Sequence, residues 1–159
     1  MTSKLKFIVD EDFVNYKDIS MFIGFPRCGF KCDYESGKTI CQNQPLVSMP
    51  DINITPMTIV KRYLDNPLSK AIVFGGLEPF DTVEDMFKLI FAFRRYTDDP
   101  IIIYTGYTED ELKRTLLLPH LKNKNITIKF GRFVPNQSPH FDEVLGVNLA
   151  SDNQYAKKI

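Results

Sequence analysis

Short apolar runs alternate with helix-like amphipathic stretches along the whole sequence, and this alternation predicts an α/β fold with a mostly parallel sheet and flanking helices. Two observations support it. Pro100–Tyr104 is almost wholly apolar, as a central parallel strand buried on both faces should be. The chain has 159 residues, 43% hydrophobic and 25% charged, which suits a single domain over residues 1–159 with a substantial core.

The elements follow in order. Leu5–Val9 reads as an extra edge strand, interrupted by Lys6, and Ile19–Gly24 as the first buried strand, running straight into a cysteine-bearing loop. Residues 29–53 are rich in Gly, Pro, Asn and Lys with weak periodicity, and read as a long ordered loop of the functional kind. Thr55 is a helix N-cap with Pro56 at the first helical position, and Met57, Val60 and Leu64 carry a helix from Thr55 to Asp65. Ala71–Phe74 is a second strand that stops at Gly75-Gly76. Thr82 opens a stronger helix, with Val83, Met86, Phe87, Ile90, Phe91 and Phe93 on its apolar face and Arg94 and Arg95 in its last turn. Pro100–Tyr104 is the third strand, and Thr108 caps a helix whose first turn is acidic. Ile126–Phe130 is the fourth strand and Val144–Asn148 a further one.

Charge narrows the function classes. Twenty basic side chains balance twenty acidic ones, so the footprint of a dedicated nucleic-acid binder or a polybasic membrane surface is absent. No apolar run reaches the roughly 18 residues of a membrane span, and the first residues lack a signal-peptide core. The expectation is a soluble, cytoplasmic protein.

The three cysteines, Cys28, Cys32 and Cys41, all fall in the loop after the first buried strand, spaced Cys-x3-Cys-x8-Cys. Such clustering points to metal or cluster ligation more than to disulfides. Three thiolates from one loop can hold three irons of a [4Fe–4S] cube and leave the fourth open to a small-molecule ligand. A structural zinc site completed by His120 or His140 uses the same thiols, and so do unrelated buried cysteines. Gly75-Gly-Leu-Glu-Pro79 lies past the second strand, at the edge where parallel sheets bind ligands. Its glycines admit close approach of a ligand and Glu78 can accept a hydrogen bond from a ligand ammonium; a tight turn with an exposed Glu fits the same residues.

Together, the cysteine loop and the Gly-Gly-Leu-Glu-Pro loop resemble the radical S-adenosylmethionine (SAM) enzymes, with their Cys-x3-Cys-x2-Cys and Gly-Gly-Glu-Pro motifs. Here the interval before the third cysteine is six residues longer, Ile40 replaces the usual aromatic, and Leu77 splits the glycine–acid motif. Tyr104-Thr-Gly-Tyr107, Gly131-Arg-Phe133 and Ala150-Ser-Asp-Asn-Gln154 resemble segments of the anaerobic ribonucleoside-triphosphate reductase activating proteins, and Val14-Asn15 corresponds to an element near their start. The resemblance spans nearly the whole chain, in order.

It implies a single-domain, partial (β/α) barrel of radical SAM type, with a [4Fe–4S] cluster held by Cys28, Cys32 and Cys41. It implies SAM as the second cofactor, its methionine end at Gly75, Gly76 and Glu78, with Ile40, Gln42 and Asn43 nearby and Thr105 on the ribose side. No protein side chain is assigned an acid–base role, since the cofactors carry the chemistry. One electron, from a donor such as flavodoxin or ferredoxin, would cleave SAM to methionine and a 5′-deoxyadenosyl radical. That radical would abstract hydrogen from a glycine of the partner, an anaerobic ribonucleotide reductase. A radical SAM enzyme with another substrate, such as a 7-carboxy-7-deazaguanine synthase, and a zinc-stabilised α/β binding module are the alternatives. Tyr104 and Tyr107 read as packing residues, both histidines as exposed loop residues, and Asp152–Ile159 as either a partner contact or a frayed terminus. Little sequence is left over for a lid, so an open cleft covered by the partner is expected.

Overall fold

Alternation within the apolar runs decides how the sheet is covered. The computed structural model describes all residues from Met1 to Ile159. Strands β1 (Ser3–Leu5), β2 (Phe7–Asp12) and β3 (Ser20–Phe25) precede helix α1 (Lys31–Ser36), and β4 (Ile52–Ile54) precedes α2 (Pro56–Leu64). Then come β5 (Ala71–Gly76), α3 (Val83–Arg94), β6 (Ile101–Tyr104), α4 (Glu109–Arg114), α5 (Leu118–Leu121), β7 (Ile126–Phe130), β8 (His140–Asp142), β9 (Val147–Leu149) and β10 (Tyr155–Lys158). The main sheet runs β10-β7-β6-β5-β3-β2; β3, β5, β6 and β7 are parallel, and β2 and β10 close the edges antiparallel.

Met21, Ile23 and Phe25 of β3, Ile72 and Phe74 of β5, Ile101 and Ile103 of β6, and Ile126, Ile128 and Phe130 of β7 point to one face. There they meet Ile59, Val60 and Tyr63 of α2, Met86, Leu89, Ile90 and Phe93 of α3, and Leu112 of α4. Burying each such side chain stabilises the fold by about 1.5–3 kcal/mol. The intervening Ala71, Val73 and Ile102 form a smaller cluster on the other face with Tyr16, with Leu145 and Leu149 of the β8–β9 hairpin and with Ala156 of β10, and Phe22, Tyr104 and Val147 pack against it. Helices therefore pack on one side of the sheet. No helix is long and apolar enough to cross a membrane.

Several sequence expectations need correction. Leu5–Val9 is two strands, because Lys6 breaks the run: its N–H reaches Gly24 O, while its buried ammonium bonds Met49 O and pairs with Asp51 at 2.8 Å. β1 consequently pairs with β4 and β2 with β3. Residues 29–53 are not plain loop: they carry α1, a 3-10 turn at Gln44–Ser48, and β4. The helix at α2 forms as expected, with Thr55 Oγ1 accepting from Thr58 N, but Ile59, Val60 and Tyr63 face the core, while Met57 and Leu64 are exposed. On α3, Phe91 is 51% exposed, stacked on Phe87, and Leu89 takes the core position instead. Val144–Gly146 is the turn of the β8–β9 hairpin, and the strand begins at Val147. His120 lies in α5, and His140 is half-buried at the start of β8. The terminal segment is not frayed: β10 pairs with β7 from Tyr155 to Lys158, and Lys157 and Tyr155 both bond Glu109.

Candidate functional site

A cleft of about 470 Å³ opens at the C-terminal ends of the parallel strands. Cys28, Cys32, Cys41, Gln42, Asn43, Gly75, Gly76, Glu78 and Thr105 all line it, so four separate segments that the sequence singled out meet in one place. Ile40 is the exception; it is half-buried beside the cleft, and its N–H is turned to Asp33 Oδ1.

Local chemistry explains the convergence. Gly76 adopts φ +78°, a conformation glycine tolerates, and an added Cβ would stand 2.9 Å from Gly24 Cα. The chain can therefore turn off β5 against β3, where Leu77 N bonds Phe25 O and Glu78 N bonds Arg27 O at 2.7 Å. Glu78, 7% exposed, accepts from Phe80 N and Thr105 Oγ1 on one carboxylate oxygen and from Gly106 N on the other. A carboxylate offers about four acceptor positions, so one remains, on Oε2. The Thr105 hydroxyl donates to Glu78 and accepts from Tyr107 N, so its donor is committed to the turn. Tyr104 and Tyr107 act as expected of packing residues with polar ends: their hydroxyls donate to Asn15 O and Asp81 Oδ1, both at 2.6 Å.

The cysteine loop is equally ordered. Cys28 Sγ accepts from Phe30 N at 3.2 Å, and the Asp33 carboxylate accepts from Ile40 N, Cys41 N and the Gln44 side-chain amide. All three thiols are free and half-buried. Burial pushes Cys28 up to about 12, helped by Glu78, Asp81 and Cys41 nearby and opposed by the Phe30 N–H. Cys41 is raised as well, first by burial, with Cys32 and Asp33 adding to it. A cation in the cleft would reverse this by binding the thiolates and releasing their protons. Three soft sulfur donors on one wall suit an iron–sulfur group. No group of three or more His, Cys, Asp or Glu side chains is gathered closely enough to hold a single ion.

Lys129 is a cleft residue that the sequence reading did not single out. It sits in β7 with 7% exposure, its ammonium donating to Gly131 O at 3.0 Å. Burial holds it down to about 8, against the pull of Glu78, while burial raises Glu78 to about 7 despite its three hydrogen bonds. A lone lysine in the apolar run Ile126–Phe130 is the signal that marks it. Arg132, also lining the cleft, forks onto Glu111 at 3.0 and 2.7 Å and faces Glu35 at 3.2 Å. The Ser151–Gln154 segment locks this corner: Asn153 Nδ2 donates to Arg132 O, and Gln154 Nε2 to Gly131 O.

Comparison of the chain with models of known protein families, with curated proteins and with solved structures finds no match.

Proposed function

We propose that this protein is a radical SAM activase: it reductively cleaves SAM at a [4Fe–4S] cluster and generates a glycyl radical on an anaerobic ribonucleoside-triphosphate reductase. The observation that carries the reading is the meeting of Cys28, Cys32 and Cys41 with Gly75, Gly76, Glu78 and Thr105 in one cleft at the C-terminal sheet edge. The covering of the sheet by helices on one face only supports a partial (β/α) barrel.

Bound there, a cluster and SAM would supply one-electron cleavage of a carbon–sulfur bond and hydrogen-atom abstraction from the partner's glycine. The chain's part is ligation, orientation and exclusion of water. Cys28, Cys32 and Cys41 supply the thiolates. Gly75 and Gly76 line the cleft with backbone where the methionine end would lie, and the remaining acceptor on Glu78 Oε2 would take its ammonium group, a charge-assisted bond. Lys129, buried with one donor used on Gly131 O, offers a counter-charge within the same cleft. The electron comes from a flavodoxin- or ferredoxin-type donor in the cytoplasm.

The test is anaerobic incubation of the iron- and sulfide-reconstituted, reduced protein with SAM and a glycyl-radical reductase encoded beside it. A glycyl doublet by electron paramagnetic resonance is the expected result. Efficient SAM consumption on a small metabolite, with no doublet, would reject the activase.

A further inference from the structure

The interval between Cys32 and Cys41 holds eight residues, and something must bring the third thiol back to the cleft. Closing a longer loop costs entropy that local contacts must offset. Asp33, next to Cys32, is where those contacts gather. Its Oδ1 accepts Ile40 N at 2.7 Å and Cys41 N at 2.8 Å, and its Oδ2 accepts the Gln44 side-chain amide. Three of its roughly four acceptor positions are therefore spent on N–H donors of the returning chain.

The residues between are the rest of α1 and an exposed turn. Ser36 Oγ donates to Asp33 O or Lys38 O, Gly37 turns the chain at φ +68° with nothing near its missing Cβ, and Tyr34 is 89% exposed. Beyond Cys41 the segment is held a second time, where Lys6 donates to Met49 O at 2.6 Å and pairs with Asp51. The third cysteine thus lies between two polar anchors, and Asp33 is the one that touches its backbone.

We propose that Asp33 is the positioning residue of the cysteine loop: by binding the Ile40 and Cys41 amides it closes the excursion through α1 and Gly37 and returns Cys41 to the cleft beside Cys28 and Cys32. The inference rests on the reading of the three cysteines as one ligand set, and it makes a claim of its own about the iron-free chain.

The experiment is timed alkylation of the reduced, iron-free protein with iodoacetamide, the three cysteine peptides being followed separately by mass spectrometry. In Asp33→Ala, labelling of Cys41 should accelerate about tenfold, the factor set by losing roughly one net hydrogen bond, while Cys28 changes less than about twofold. Asp33→Asn keeps an acceptor oxygen and the side-chain shape, so it should lie between wild type and Asp33→Ala; it also provides the comparison if the alanine variant fails to fold. Gln44→Ala should show a smaller effect of the same pattern.

Unchanged Cys41 labelling in both Asp33 variants would overturn the proposal. Equal acceleration at all three cysteines would also overturn it, since that is loss of the loop and not of a position. Iron uptake is measured in parallel and separates the two claims. Selective release of Cys41 in a protein that takes up no iron supports the positioning role while rejecting the cluster.

Discussion

Asp81 Oδ2 accepts the backbone N–H of Gly29 at 2.9 Å, joining positions 52 apart in sequence. The same carboxylate accepts the Tyr107 hydroxyl at 2.6 Å, and Lys31 Nζ stands 4.1 Å from the centre of that tyrosine ring. One side chain therefore binds the cysteine loop, the turn after β5 and the loop after β6 together. Asp81→Ala should lower stability by about 1–2 kcal/mol, as expected for two partly exposed hydrogen bonds. It should also speed alkylation of Cys28, the neighbour of Gly29. Chemical denaturation and peptide-resolved labelling check both, and a variant with wild-type Cys28 reactivity would show that the loops hold together without Asp81.

On the activase reading, Cys28→Ala, Cys32→Ala and Cys41→Ala should each abolish the reconstituted [4Fe–4S] signal and all SAM cleavage, because losing one of three thiolates would uncover a second iron. Iron analysis and the spectrum of the reduced protein measure this. A normal cluster in Cys41→Ala would remove the displaced third ligand from the assignment.

Gly75 and Gly76 should respond differently to alanine. At Gly76 the new Cβ would lie 2.9 Å from Gly24 Cα at φ +78°, a clash with backbone that no rotamer relieves. At Gly75 it would meet the tip of the Phe22 ring at 2.9 Å, which can swing aside. Gly76→Ala should cost at least about 2–3 kcal/mol and Gly75→Ala clearly less, read as the difference in denaturation midpoint. Equal losses would mean that β3 and β5 can separate.

Glu78 gives the fold an unusual pH response. Burial raises its carboxyl from about 4.5 to about 7, so between those values the folded chain holds a proton that the unfolded chain has released. Stability attributable to this group therefore falls as pH rises from about 4.5 to 7, by an amount on the order of 3 kcal/mol. Glu78→Gln should lack that decline, although it loses one of the acceptors serving Thr105, Phe80 or Gly106. Parallel slopes for the two proteins across this window would place the titration elsewhere.

The opposite sign governs helix α4. Hydrogen bonds from Lys157 and Tyr155 hold Glu109 down to about 2, and the Arg132 fork holds Glu111 down to about 2. Their contribution is complete above the ordinary carboxylate range and fades as pH falls through about 2. Glu109→Gln should flatten the acid limb of a stability–pH curve and weaken the β10 edge that Lys157 ties to it.

The parallel strands were legible in the sequence because apolar continuity is a local property, and Ile101–Tyr104 and Ile126–Phe130 carry it strongly. The meeting of Cys28, Cys32, Cys41, Gly76 and Glu78 was legible because each ends a parallel strand or lies in the segment after one. What stayed hidden depends on distant partners. Tyr155–Lys158 has one buried residue, Ala156, and becomes a strand only because β7 presents a free edge. Lys6 looks like an interruption until Met49 and Asp51 arrive to receive its charge. The Glu78 carboxylate reads as a ligand acceptor in one dimension, whereas most of its capacity is spent on Thr105, Gly106 and Phe80. Secondary structure inside residues 29–53 was missed because α1 and the 3-10 turn bury no residue and so carry no hydrophobic period, while β4 forms only by pairing with the distant β1.

The cleft draws its walls from Val14 at one extreme of the sequence to Gln154 at the other, with β3, β5, β6 and β7 between them. No fragment of the chain contains it. Its walls are complete only when β3, β5, β6 and β7 are all paired, so slow amide exchange around Glu78 and Lys129 should track unfolding of the whole domain. Any occupant of the cleft consequently stabilises the entire molecule by mass action, and a rise in melting temperature becomes a direct assay for what binds there.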